Sequence, residues 1–146
     1  MDDLDLQIIQ ILRKDGRIPY NHIARKVGLS DGSVRRRIEN LIADDVIQIV
    51  AVPNPMVVGY PIVARLDIEV DLTHLAEIAK ALANMEQISY VAYCVASFQL
   101  TAEVLARSVE DLRRIAFHDV SQLPGVRSLQ VTPISKIIKR TYAADY

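Results

Sequence analysis

The sequence predicts an α+β chain, an N-terminal winged helix-turn-helix joined to a C-terminal ferredoxin-like βαββαβ domain. Three observations predict it. Two helical apolar patterns separated by Gly28 fall within residues 20–43, the helix-turn-helix spacing. After the Pro- and Gly-rich stretch 53–61 the apolar period drops from helical to two, which marks a change to strand. A strand-helix-strand order then occurs twice, offset by about 37 residues, the split βαβ pattern.

Taken in order, Leu4, Ile8, Ile9 and Leu12 recur at helical spacing, so residues 3–14 form an amphipathic helix ending near Gly16. A short second helix runs over 20–27 and buries Ile23, Ala24 and Val27. Gly28 breaks it, Leu29 is an apolar plug, and Ser30 is a good N-cap for a third helix to about Ala43. "VIQIVAV" (46–52) has β propensity and is expected as a strand. Residues 1–52 are therefore read as the helix-turn-helix domain, 53–61 as a linker and 62–146 as the βαββαβ domain. In that second domain Ala64, Leu66, Ile68 and Val70 alternate with charged residues, Leu75 to Leu82 mark a helix, 88–97 and 98–107 are two strands, Leu112 to Leu123 mark a helix, and "PGV" turns into a last strand over about 127–138. The near-absence of polar residues in 88–96 predicts that the second sheet face is also covered, with another subunit as the natural cover.

The composition bounds the class. Half the chain is apolar, 51%, so it can bury a core. The net charge is only −1, yet residues 13–37 hold eight basic residues against two acids, a local +6. Local charge decides a binding face more than the total does. One cysteine, Cys94, excludes an internal disulfide; it is expected as an inert buried thiol. With no apolar run of bilayer length and no secretory leader, the chain is expected to be soluble and cytoplasmic.

The run Arg35-Arg36-Arg37 asks what three adjacent cations face. At 100° per residue, with Val34 at zero, Ile38, Leu41 and Ile42 share the buried stripe. Gly32, Ser33, Arg36 and Asn40 fall on the opposite face, and Arg35 and Arg37 flank the stripe. A recognition helix has this form: its N-terminal residues meet base edges and its flanking arginines reach phosphates. The expected DNA-contacting set is Ser30, Gly32, Ser33, Arg35, Arg36, Arg37 and Asn40, with Arg25 and Tyr20 from the preceding helix. The plainer reading is a solvated helix with a salt bridge such as Arg35 to Glu39.

On "MDDLDLQIIQILRKDGRIPYNHIARKVGLSDGSVRRRIENL", on "VI" at 46–47, "GY" at 59–60 and "LPGV" at 123–126, the chain resembles the Lrp/AsnC (feast/famine) family of transcription regulators over about residues 2–140. The resemblance implies a sequence-specific DNA-binding homodimer or larger oligomer, up to an octamer, modulated by an amino acid or other small metabolite. It implies no cofactor. It gives Arg37 the place of the family's recognition-helix arginine, and Ser33, Arg36 and Asn40 its sequence-reading positions. The sequence departs from the family at two places. Asp44-Asp45 stands where a glycine usually precedes "VI". Ala96, Ser97, Phe98 and Gln99 stand where the family's effector turn carries acids, so the effector site here has only neutral groups to offer an ammonium ion.

Other chemistry is sparse. His22, His74 and His118 match no metal spacing, and Asp67, Glu69 and Asp71 on one strand face read as a solvated or subunit-pairing surface. No phosphate loop and no nucleophile signature occurs, so an enzyme is not expected. Two alternatives stay open. One is a siroheme-decarboxylase-like enzyme on the same scaffold, for which 90–100 offers only Tyr90 and Tyr93. The other is an interaction module whose helix-turn-helix no longer binds DNA.

Overall fold

The computed structural model describes residues 1–138 and divides into two compact units, 1–52 and 53–138. The segment 141–146, read from sequence as a tail or docking element, and the end of "SKIIKR" (135–140) lie outside the described residues.

The first unit has three helices: α1 (Asp3–Lys14), α2 (Tyr20–Val27) and α3 (Asp31–Ala43). Each boundary has a local cause. Asp2 and Asp5 form a reciprocal capping box at the start of α1. Gly28, at φ +71°, ends α2 in the left-handed conformation that glycine adopts without penalty. The Ser30 hydroxyl accepts the backbone N–H of Ser33 to start α3. Ile8, Leu12, Ile23, Ala24, Val34 and Ile38 form the core. Ile42, expected on the buried stripe, is instead exposed; Val34, Ile38 and Leu41 suffice to seat the helix.

The end of α3 is a Schellman turn. Asp45 N–H donates to the Ile42 carbonyl at 3.1 Å and Val46 N–H to the Leu41 carbonyl at 2.9 Å. Its left-handed residue is Asp45, at φ +55°. The strand expected over 46–52 does not form. A strand needs a ladder, and none of the described residues pairs with this segment. Val46, Ile49, Val50 and Val52 lie exposed, Ile47 packs on the core, and among the described residues no strand builds a wing on this unit.

The second unit contains β1 (Ile62–Val70), a 3₁₀ turn over Leu72–His74, α4 (Leu75–Ala83), β2 (Ile88–Tyr93), β3 (Leu100–Ala106), α5 (Val109–Arg114) and β4 (Val126–Pro133). The four strands pair antiparallel in the order β2-β3-β1-β4, the ferredoxin-like arrangement. The strand register places Ala64, Leu66, Ile68 and Val70 beside Leu100, Ala102 and Val104 on one face. Ile78 and Leu82 of α4 and Leu112 of α5 complete that core. After Arg114 the last helix widens into a π-helical stretch, Ile115–Val120, closed by the Ser121 N–H on the Ala116 carbonyl. Ile115, Ala116 and Val120 are buried along it.

The opposite sheet face is polar and paired. Asp67 accepts from Arg65 Nε at 2.9 Å and Thr101 Oγ1 at 3.2 Å, and Glu69 accepts from Ser128 Oγ at 2.8 Å. Asp71, read from sequence with these two, has another role: it caps the 3₁₀ turn. Two further expectations need correcting. β4 ends at Pro133, not near 138, after one more bond from Ile134 N–H to the Val63 carbonyl. Cys94 is half-buried at the strand end, not a buried thiol. β2 is an edge strand, and its Tyr90 and Tyr93 are exposed within the chain.

Three outcomes follow from these turns. Gly125 sits at φ +94°, and a Cβ there would lie 2.6 Å from His74 Cβ. Gly125→Ala should cost about 2–4 kcal/mol in denaturant melts, since both the backbone and the clash oppose it. Asp45→Gly should stabilise by about 0.5–1 kcal/mol, by relieving the left-handed aspartate and removing an acid from a helix C-terminus. The Asp71 carboxyl, held by the backbone N–H and hydroxyl of Thr73 and then by Arg127, is lowered from 3.8 to about 2. A lowered folded-state value means that its stabilisation is present above pH 3.8 and is lost as pH falls toward 2. Hydrogen exchange at Thr73 should accelerate across that window in the native chain and show no such step in Asp71→Asn.

Candidate nucleic-acid interface

The candidate residues fall into two groups, one in each unit. In the first unit the burial of Val34, Ile38 and Leu41 fixes which way every other residue of α3 points. Gly32, Ser33, Arg36 and Asn40 are all exposed. Nothing lies within 4 Å of the position a Cβ would take on Gly32, so the first turn of α3 is open to close approach. Arg36 has no hydrogen-bond or ion-pair partner among the described residues. The Ser33 hydroxyl is not free: it lies 2.9 Å from the Ser30 hydroxyl, so the two share one proton arrangement at the N-cap.

The two flanking arginines have different surroundings. Arg35 extends over the ring of Tyr20, with Cζ 5.4 Å from the ring centre, which ties the start of α2 to α3. Arg25 lies exposed on α2, with one long bond, 3.4 Å, from Nε to the Asn21 carbonyl.

Arg37 is tied to the start of α1. Its Nη1 donates to Asp5 at 2.7 Å and to Asp2 at 2.9 Å, so a single nitrogen bridges two carboxylates. Those hydrogen bonds, Asp5's first, raise the Arg37 pKa further above its ordinary value. The Asp5 backbone N–H, with Arg37 after it, holds the Asp2 carboxyl below the ordinary range. Asp5 is the buried polar residue of the first unit, and its burial is tolerable because each oxygen accepts a bond, one from Asp2 N–H and one from Arg37. Asp2 and Asp5 lie outside the basic window 13–37 that the sequence singles out. Their capping spacing is a local signal; their link to Arg37, 32 and 35 residues away, has none.

Asn40 is exposed but borders a small groove of about 180 Å³ with Met1, Asp5, Arg37, Leu41, Asp44 and Val46. It therefore belongs to the side of α3 nearer the Arg37 bridge than to the centre of the outward face.

In the second unit the turn between β2 and β3 holds Ala96, Ser97, Phe98 and Gln99. Ala96 and Ser97 are exposed, and Phe98 is half-buried. Gln99 is spent on the fold. Its Nε2 donates to the carbonyls of Ser97 (2.8 Å) and Ala96 (3.3 Å), and its Oε1 accepts from Val70 N–H at 3.0 Å. A Cys94 N–H bond to the Gln99 carbonyl at 2.8 Å closes the turn. The Gln99 side chain, expected to hydrogen-bond an effector, has its donors and its acceptor already engaged within the chain.

His22 and His118 are exposed and His74 is half-buried under Gly125. Among the described residues no group of three or more His, Cys, Asp or Glu is placed to hold a metal, and no helix is long and apolar enough to cross a membrane.

Comparison with known proteins agrees with this architecture. Residues 1–42 match the AsnC-type helix-turn-helix domain, and residues 59–145 match the PF0864 C-terminal dimeric alpha+beta barrel domain. The chain is 31% identical over 143 residues to the HTH-type transcriptional regulator FL11 of Pyrococcus abyssi, covering 97% of this chain and 93% of that one. Among solved structures, E. coli AsnC superposes with a TM-score of 0.85 at 18% identity, covering 99% of both chains. The transcriptional regulator NMB0573 of Neisseria meningitidis, in complex with L-Met, superposes with a TM-score of 0.88 at 18% identity over 99% of this chain and 96% of that one. The chain belongs to the Lrp/AsnC family of helix-turn-helix transcriptional regulators.

Proposed function

We propose that this chain is a sequence-specific DNA-binding regulator that acts as a homodimer or larger oligomer and reads a pseudo-palindromic operator with α3. The observation that carries the proposal is Arg36. It is exposed and unpaired among the described residues, and stands at the centre of the face opposite the core, between the open first turn at Gly32 and the rest of the helix. An arginine so placed suits bidentate contact with guanine O6 and N7 in the major groove. Ser30, Gly32 and Ser33 contribute the close-approach end of the helix, and Arg35, steadied on Tyr20, reaches a phosphate together with Arg25. Asn40 contributes at the margin.

Self-association rests on the dimeric description of the matched C-terminal domain and on the exposed Tyr90 and Tyr93. A two-fold dimer places its two recognition helices about one helical turn of DNA apart, roughly 34 Å, or a multiple of that. For the domains we keep 1–52 as the DNA-binding part, 53–61 as linker and 62–146 as the assembly part.

Effector modulation at Ala96–Gln99 would work without a charged handle. NMB0573 is described with L-Met bound, but here the turn has no carboxylate for an ammonium group, and Gln99 is occupied. We therefore place the turn's role in holding β1 to the hairpin, with Ser97 and the exposed backbone its remaining polar groups. The siroheme-decarboxylase alternative has no support: β2 and β3 supply no His and no Arg.

Fluorescence anisotropy with DNA from immediately upstream of the protein's own gene, over a salt series, tests the reading. Binding should exceed that to random duplex and weaken steeply with salt; equal binding to both would oppose it. In the same assay Arg36→Ala should cost about 1–3 kcal/mol and flatten the preference among operator variants. Unchanged affinity would remove Arg36 from the DNA-reading face.

A further inference from the structure

We infer that Asp2 and Asp5 are positioning residues for DNA recognition, acting through Arg37 to set the rotation of α3 about its own axis. The inference rests on the reading of α3 as the DNA-contacting helix. None of the three side chains needs to touch DNA for it to hold.

The geometry supports this in three steps. First, Arg37 lies about 60° from Val34 around the helix, on the flank of the buried stripe. Its anchor is the N-terminal end of α1, through Asp5 at 2.7 Å and Asp2 at 2.9 Å. Second, the anchor is stiff. Asp2 and Asp5 are locked to each other by the capping box, at 2.8 and 2.9 Å, before either receives Arg37. The Asp5 side chain is only 12% exposed, so the Asp5 arm of the bridge is less solvated than an ordinary surface pair, while the Asp2 arm stays open to water. Third, Val34, Ile38 and Leu41 set which face of α3 is buried, and the polar restraints that tune its rotation stand on the two flanks, the bridge on one and the Arg35–Tyr20 contact on the other. A small roll of α3 swings Arg36 and Ser33 sideways by the same angle. Base-edge hydrogen bonds are directional, so a roll lowers preference for the right sequence while leaving the phosphate attraction of the unit largely intact.

This sets the inference apart from the expectation that Arg37 meets the DNA backbone directly. A phosphate contact contributes to affinity on every sequence and to the salt slope. A positioning bridge contributes to the preference between sequences and depends on its acidic partners.

The test compares the full chain with Asp5→Asn, Arg37→Gln, the double variant and Arg37→Lys. Each is titrated against the preferred duplex and random duplex over a salt series, after circular dichroism shows it folded at the assay temperature. Asp5→Asn and Arg37→Gln should each lower the preferred-to-random ratio by about tenfold, and the double by no more than either alone, since both remove one bridge. Arg37→Lys should recover much of the ratio. The slope of log K against log salt should stay near that of the unaltered chain. A slope reduced by about one in Arg37→Gln, with Asp5→Asn binding as the unaltered chain does, overturns the inference in favour of a direct phosphate contact. Additive losses in the double overturn it as well. If Asp5→Asn does not fold, Asp2→Asn replaces it in the same comparison. An unaltered chain with no preference between duplexes fails the parent reading itself, and shows this before any variant is made.

Discussion

The burial of Val34, Ile38 and Leu41 is the constraint on which the first unit depends. Once these three face the core, a helix with 100° between residues leaves no choice about its neighbours. Three consecutive arginines are sent to three different surroundings: Arg35 onto Tyr20, Arg36 into solvent, Arg37 onto Asp2 and Asp5. Side by side in sequence they resemble a single cationic patch. In space they are one outward-facing cation between two that are tied to the neighbouring helices. That division resolves the conflict between adjacent like charges, because a partner on each flank offsets the repulsion that Arg36 would otherwise meet.

The same logic explains what the sequence made legible. Helix ends were readable because capping and left-handed residues act within four positions, as Ser30 and Gly28 do at α3 and α2. Period-two alternation over 64–70 gave β1 and its buried face for the same reason: the signal is carried by the segment itself. The order βαββαβ, and with it the sheet, followed from the succession of such segments. The family resemblance carried by the first 41 residues pointed to the same architecture.

What was missed depends on groups far apart in sequence. "VIQIVAV" has the residues of a strand, but strand formation needs a ladder partner, and propensity cannot supply one. β4 stops at Pro133, opposite Ala64, with one further bond from Ile134 N–H to the Val63 carbonyl, which apolar periodicity in 134–138 does not report. Gln99 looked like a ligand-facing amide beside Ser97. Its acceptor is taken by Val70 N–H, 29 residues earlier in the chain. Arg37 likewise has partners that no local signal announces, 32 and 35 residues back. In each case the residue type and local position were read correctly, and its surroundings were set by tertiary pairing.

The two departures from the family pattern differ in physical consequence. At Asp44-Asp45 the backbone keeps the left-handed turn that a glycine would take, and the bonds of Asp45 and Val46 to the end of α3 are intact. The substitution therefore changes charge and strain but not the path of the chain. At 96–99 the chain path is held by Gln99 itself, whose amide links the two sides of the turn and the end of β1. A carboxylate at that position could accept the Val70 N–H but could not donate to the carbonyls of Ala96 and Ser97. The neutral amide thus makes two bonds in this turn that a carboxylate would not. The group that closes the turn is also the one that removes a charged handle from it, so a ligand binding here would have to be held by shape, backbone and the Ser97 hydroxyl.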